Sequence, residues 1–133
     1  MEYIYDVAIV TAVNIEEESV KRLYDNWTQV KKEGDDQLYY AAEFEKDGVT
    51  RRVITSRQNE MGMTAASHLC AHIIEHFRPR YLIMTGIAAG IGAEQIYGDV
   101  IVPDIIWNYA SGKFVSAKNA DITFGDIGFL PRP

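Results

Sequence analysis

Two short stretches limit the fold of this sequence more than any other feature. Val7-Ala8-Ile9-Val10 and Tyr81-Leu82-Ile83-Met84 are continuous apolar runs. A strand with one wet face alternates apolar and polar residues. A run without alternation reads as a strand covered on both faces, as in a parallel sheet between helical layers. Met61 to Phe77 lies between the two runs, and Ala66, Leu69, Cys70, Ile73, Ile74 and Phe77 fall on one helical stripe. Arg78-Pro79 ends that helix. A strand, a crossover helix and a second strand make an α/β chain built on an open sheet.

The remaining elements fit this frame. Ile15, Val20, Leu23 and Tyr24 suit one face of a short helix, with Asn14 as its N-cap and acidic residues in its first turn. Leu38–Glu45 and Val49–Thr55 are β-rich runs joined by Lys46-Asp47-Gly48, and Asp-Gly is a strong hairpin signal. Residues 28–37 are polar and read as a surface loop. Val100-Ile101-Val102, after Gly98-Asp99, reads as a third buried strand, and Ile105–Phe114 as a further extended segment. Ligands in open α/β sheets bind beyond the carboxyl ends of the strands. Residues 11–16, 57–62 and 85–90 are therefore expected to meet there.

Composition narrows the function. A net charge of −6 and pI ≈ 5.0 argue against gripping a phosphate backbone, so no nucleic-acid partner is expected. The single cysteine, Cys70, excludes an internal disulfide and an all-cysteine metal site; within the apolar stripe it reads as a small buried hydrophobe. Residues 1–6 carry two acidic residues and no basic one, unlike a signal peptide. The apolar runs are strand-length. The expectation is a cytoplasmic protein with no membrane segment.

Several segments can carry chemistry, each with a plainer alternative. Glu16, Glu17 and Glu18 at a helix start read either as a dipole-favoured wet face or as carboxylates of which one serves as general base. Gly86-Ile87-Ala88-Ala89-Gly90 is a tight turn, or a loop that lets backbone approach a ligand. It is neither a P-loop nor a dinucleotide fingerprint. Asn59-Glu60-Met61-Gly62-Met63 fills the core or lines an adaptable apolar pocket. His68, His72 and His76 share a helix face; without a His-Glu-x-x-His register they read as a solvated face, with no metal site expected.

Four blocks in order resemble the nucleoside phosphorylase and nucleosidase superfamily, nearest the branch of 5′-methylthioadenosine/S-adenosylhomocysteine nucleosidases. They are Val7–Glu16, Glu60–Ala66, Glu75–Pro79 running into Ile83–Gly90, and Gly98–Val102. The resemblance covers nearly all of this chain and about the N-terminal half of the family's domain. It implies a three-layer fold with a central mixed sheet flanked by helices, truncated here, with residues 1–133 as the N-terminal portion of the domain.

The resemblance also implies hydrolysis of the N-glycosidic bond of an adenosine-type purine nucleoside, with no cofactor. Glu16 matches the carboxylate that orients and deprotonates the attacking water. Ala12 and Val13 match residues beside the ribose, and Met61, next to Gly62, an apolar contact to the sugar or its 5′ substituent. Ile87, Ala88 and Ala89 match the loop over sugar and base. Met84 and Ile87 stand where the phosphorylases bring Arg and Ser to phosphate, which favours water as nucleophile; Ile87 also replaces the Ser of the nearest nucleosidases. The family's ribose-gripping Met-Glu pair and base-protonating Asp belong to the half expected beyond Phe129–Pro133. A homo-oligomer, as a dimer, is implied. The rival expectation is a nucleoside-binding, regulatory or assembly module without turnover.

Overall fold

The computed structural model describes residues 2–90, 95–103, 106, 112–115 and 123–126. The chain divides into two compact units, residues 1–89 and 90–133.

The first unit is a five-stranded mixed sheet with one helix on each face. Its elements are β1 (Tyr5–Thr11), α1 (Asn14–Lys21), β2 (Thr28–Lys32), β3 (Asp35–Lys46), β4 (Val49–Arg57), α2 (Met63–Phe77) and β5 (Pro79–Met84). The strand order is β2-β3-β4-β1-β5. β1 is parallel to β4 on one side, with Ala8 opposite Ile54, and parallel to β5 on the other, with Ala8 opposite Leu82. Being central is what its unbroken apolar run requires.

Alternation along the strands divides the core between the faces. Ala8, Val10, Tyr39 and Ile54 pack with Leu69, Ile73 and Phe77 of α2. The opposite face carries Val53 and Ala42, both buried, and Tyr40, whose ring lies 3.1 Å beneath the Lys21 ammonium of α1. The β3–β4 hairpin turns at Asp47 (φ 54°) and Gly48 (φ 71°), two successive left-handed residues as a tight primed turn demands. α2 starts at Gly62 (φ 123°), and Arg78 closes it in the left-handed conformation, donating its N–H to the Ile74 carbonyl.

Several expectations are corrected. Residues 28–37 are not a loop: β2 pairs antiparallel with β3. Its polar, lysine-bearing sequence is that of an edge strand. The N-cap of α1 is Val13, not Asn14, which lies inside the helix. Ile15 and Leu23 are exposed, and the buried positions of α1 are Glu17 and Val20. Ile74, placed in the apolar stripe of α2, is 55 % exposed. β5 is a strand but not a covered one. Among the described residues it is the sheet edge, and Tyr81, Leu82, Ile83 and Met84 are all exposed. Apolar composition sets what a strand would bury, not what covers it.

In the second unit, β6 (Gly112–Val115) and β7 (Thr123–Asp126) form an antiparallel pair. Residues 95–99 hold a turn in which Asp99 Oδ2 accepts the Ile96 N–H at 3.0 Å. Val100-Ile101-Val102 is exposed and not a strand, contrary to its β-branched composition. Of the extended segment expected over 105–114, residues 105 and 107–111 lie outside the described residues. No described helix is long and apolar enough to cross a membrane.

Candidate active site

β1, β4 and β5 run parallel, so the segments after them emerge at one end of the sheet. The expected meeting of residues 11–16, 57–62 and 85–90 is made in part. The Gln58 N–H donates to the Thr11 carbonyl at 2.9 Å, and the Thr85 N–H to the Val10 carbonyl at 3.0 Å.

Glu16 joins two of these segments through its side chain. Its Oε2 accepts the backbone N–H of Ala12 at 2.9 Å and of Val13 at 3.1 Å. Its Oε1 accepts the N–H of Ile87 at 2.8 Å. The local reason is the start of α1. Glu16 is the third helical residue and reaches back to the N-cap N–H, one half of a capping box. Val13 has no side-chain acceptor for the other half. The distant reason is Gly86: a Cβ at that position would stand 2.9 Å from Glu16 Oε1.

Three N–H donors occupy three of the roughly four acceptor positions of an ionised carboxylate. The fourth, on Oε1, is left for a water or a hydroxyl. Partial burial pushes the Glu16 pKa up, but the N–H groups of Ile87, Ala12 and Val13 outweigh it. The group therefore titrates below the ordinary value of 4.5 and is an anion at neutral pH.

The next residue, Glu17, lies against the sheet, 8 % exposed. Its carboxylate is 3.5 Å from both Lys21 Nζ and Arg57 Nε. Of three consecutive glutamates, one holds the loops, one is buried in an ion pair, and Glu18 accepts from the Asn14 amide on the exposed side.

The remaining predicted residues lie around this centre. Ile87 joins through its backbone while its side chain is exposed, and Ala88 and Ala89 follow, also exposed. Met61 and Gly62 line a different hollow of about 420 Å³, with Gln37, Asn59, Met63 and His68 at the entrance to α2. Glu16, Ala12, Val13 and Ile87 do not line it.

Two residues escaped the sequence reading. Thr11 and Gln58, at the carboxyl ends of β1 and β4, are buried. The Thr11 hydroxyl and both polar atoms of the Gln58 amide have no hydrogen-bond partner among the described residues. Buried polar groups are rarely left so. Their position at strand ends was the available signal.

Comparison with known proteins places the fold and the family. Residues 6–131 match the family model of the phosphorylase superfamily. The uncharacterized protein y4jS of Sinorhizobium fredii is 34 % identical over 108 residues, covering 81 % of this chain and 25 % of that protein. The crystal structure of a candidate 5′-methylthioadenosine/S-adenosylhomocysteine nucleosidase from Francisella philomiragia has the same fold. Its TM-score is 0.56 at 23 % identity, over 66 % of this chain and 36 % of that one. This chain thus spans about a quarter of the curated relative and about a third of the solved structure. With a mixed α/β sheet, loops joined at the carboxyl ends of its parallel strands, and a family match over almost its whole length, this chain belongs to the phosphorylase superfamily.

Proposed function

We propose that this chain supplies the sugar-facing part of a site that hydrolyses the N-glycosidic bond of a purine-type nucleoside. The observation that carries the reading is the Glu16 carboxylate, fixed by three N–H groups with one acceptor position to spare. As an anion it holds a water beside the anomeric carbon and opposes the positive charge of an oxocarbenium-like transition state. As the C–N bond breaks and the C–O bond forms, the bound water becomes strongly acidic. A carboxylate with a depressed pKa is then a sufficient proton acceptor. The proton taken up by the leaving base comes from a general acid that the resemblance places outside the four blocks present here.

Water rather than phosphate fits the lining. Met84 and Ile87 offer no charge to an anion, and both side chains are exposed. By the resemblance, Ala12, Val13, Ala88 and Ala89 would lie beside the sugar and base; Met61 and Gly62, expected at the 5′ substituent, line a separate hollow that does not include Glu16. The chemistry asks for no cofactor. A homo-dimer is the assembly that the resemblance implies.

The test is release of free base from adenosine-type nucleosides by the protein carrying this segment, with and without phosphate. Hydrolysis independent of phosphate and lost in Glu16→Gln is expected. Undiminished hydrolysis in that variant overturns the role of Glu16. The second reading is a nucleoside-binding or regulatory module without turnover. Calorimetric binding of adenosine without base release would favour it.

A further inference from the structure

The histidine face of α2 meets a carboxylate from the far side of the sequence. Asp35, the first residue of β3, places Oδ2 at 3.3 Å from His72 Nδ1. Asp35, His72 and His76 each bring one ligand atom, and these atoms lie within 4.8 Å of one another. All three residues are half-buried, whereas His68, one turn earlier, is exposed.

We propose that Asp35, His72 and His76 form a binding site for a divalent transition-metal ion of the zinc class. Two histidines four residues apart on a helix project from one face and make a common pair of nitrogen ligands. A carboxylate from a second element supplies the third, and a water completes a tetrahedron. Ligands about 2.0–2.1 Å from zinc stand about 3.3–3.4 Å apart at tetrahedral angles. The Asp35–His72 separation of 3.3 Å is already that edge. His76 closes the remaining distance through its side-chain torsions.

The surroundings suit the task. Asp35 Oδ2 accepts the Tyr39 hydroxyl at 2.7 Å and Oδ1 accepts the Gln37 N–H at 2.9 Å, so the carboxylate is oriented by groups that are not ligands. A hollow of about 130 Å³ opens beside Asp35 and His72, with Gln37, Asn59 and His68 in its wall; His76 stands outside it. The metal would clip the β2–β3 hairpin to α2.

The experiment is calorimetric titration of chelator-treated protein with Zn²⁺, repeated on His76→Ala, Asp35→Asn and His68→Ala, with Co²⁺ absorption as a second readout. One equivalent should bind, weakened about tenfold or more by His76→Ala and by Asp35→Asn and unchanged by His68→Ala. Co²⁺ should give the intense visible bands of a four-coordinate ion. His76 makes only ring contacts among the described residues, so its truncation tests the site without undoing a hydrogen bond. Absence of saturable binding overturns the proposal. So does binding lost in His68→Ala but kept in Asp35→Asn, which would mark an exposed helix pair instead.

Discussion

Gly86 and Glu16 are fitted to each other: a methyl group on Gly86 would stand 2.9 Å from the carboxylate oxygen that accepts the Ile87 N–H. Gly86→Ala should therefore push Glu16 away and leave the Ile87 N–H without its acceptor. A loss of about 1–2 kcal/mol in urea unfolding is expected. Base release should fall with it. Unchanged stability and turnover would show that the loop adjusts freely.

The pH dependence follows from the direction of the Glu16 shift. Its folded pKa is held below the ordinary 4.5, so its contribution to stability is full above that value. It is lost as pH falls through the folded pKa. Wild type should lose stability between pH 5 and the acid limit more steeply than Glu16→Gln, which cannot ionise. Parallel acid-unfolding curves for the two proteins would contradict this.

The buried Glu17 invites a double-mutant cycle with Arg57, 3.5 Å away. Arg57→Met leaves the carboxylate with Lys21 alone, and Glu17→Gln leaves the guanidinium without its counter-charge. Each change should cost about 1–3 kcal/mol, and the double variant less than their sum by about 1 kcal/mol. Chemical denaturation of the four proteins measures the coupling; strict additivity would mean the pair does not interact.

Gly48 turns the hairpin at φ 71°, and a Cβ added there would meet no atom within 4 Å. Gly48→Ala should thus cost about 1 kcal/mol through backbone strain alone, read as a lower thermal midpoint with turnover intact.

The sequence was most legible where local pattern and tertiary position agree. Val7–Val10 reads as a strand covered on both faces; it is central, between two parallel neighbours, with Ala8 and Val10 buried on one face and Val7 and Ile9 half-buried on the other. Asp47-Gly48 reads as a turn because its backbone conformation admits few residues. β2 escaped because an edge strand pairs through its backbone while keeping polar side chains. That oversight hid Asp35, and with it the partner of His72. Tyr81–Met84 shows the opposite limit: composition identified the strand, but its exposure depends on neighbours that composition does not name. Glu16 was found through a resemblance among blocks. Its three N–H donors depend on where the loop after β5 arrives, which no local pattern records.

The three bonds of Glu16 also imply an order of events during folding. The Ala12 and Val13 N–H groups lie within four residues of it, while the Ile87 N–H lies 71 residues away. Local contacts can form while the chain is still largely open; a contact across such a span waits for β4, α2 and β5 to be laid down. Two of the carboxylate's partners thus need only the start of α1, whereas the third needs the loop after β5 in place, so Glu16 is fully held only in a chain whose β5 has docked beside β1.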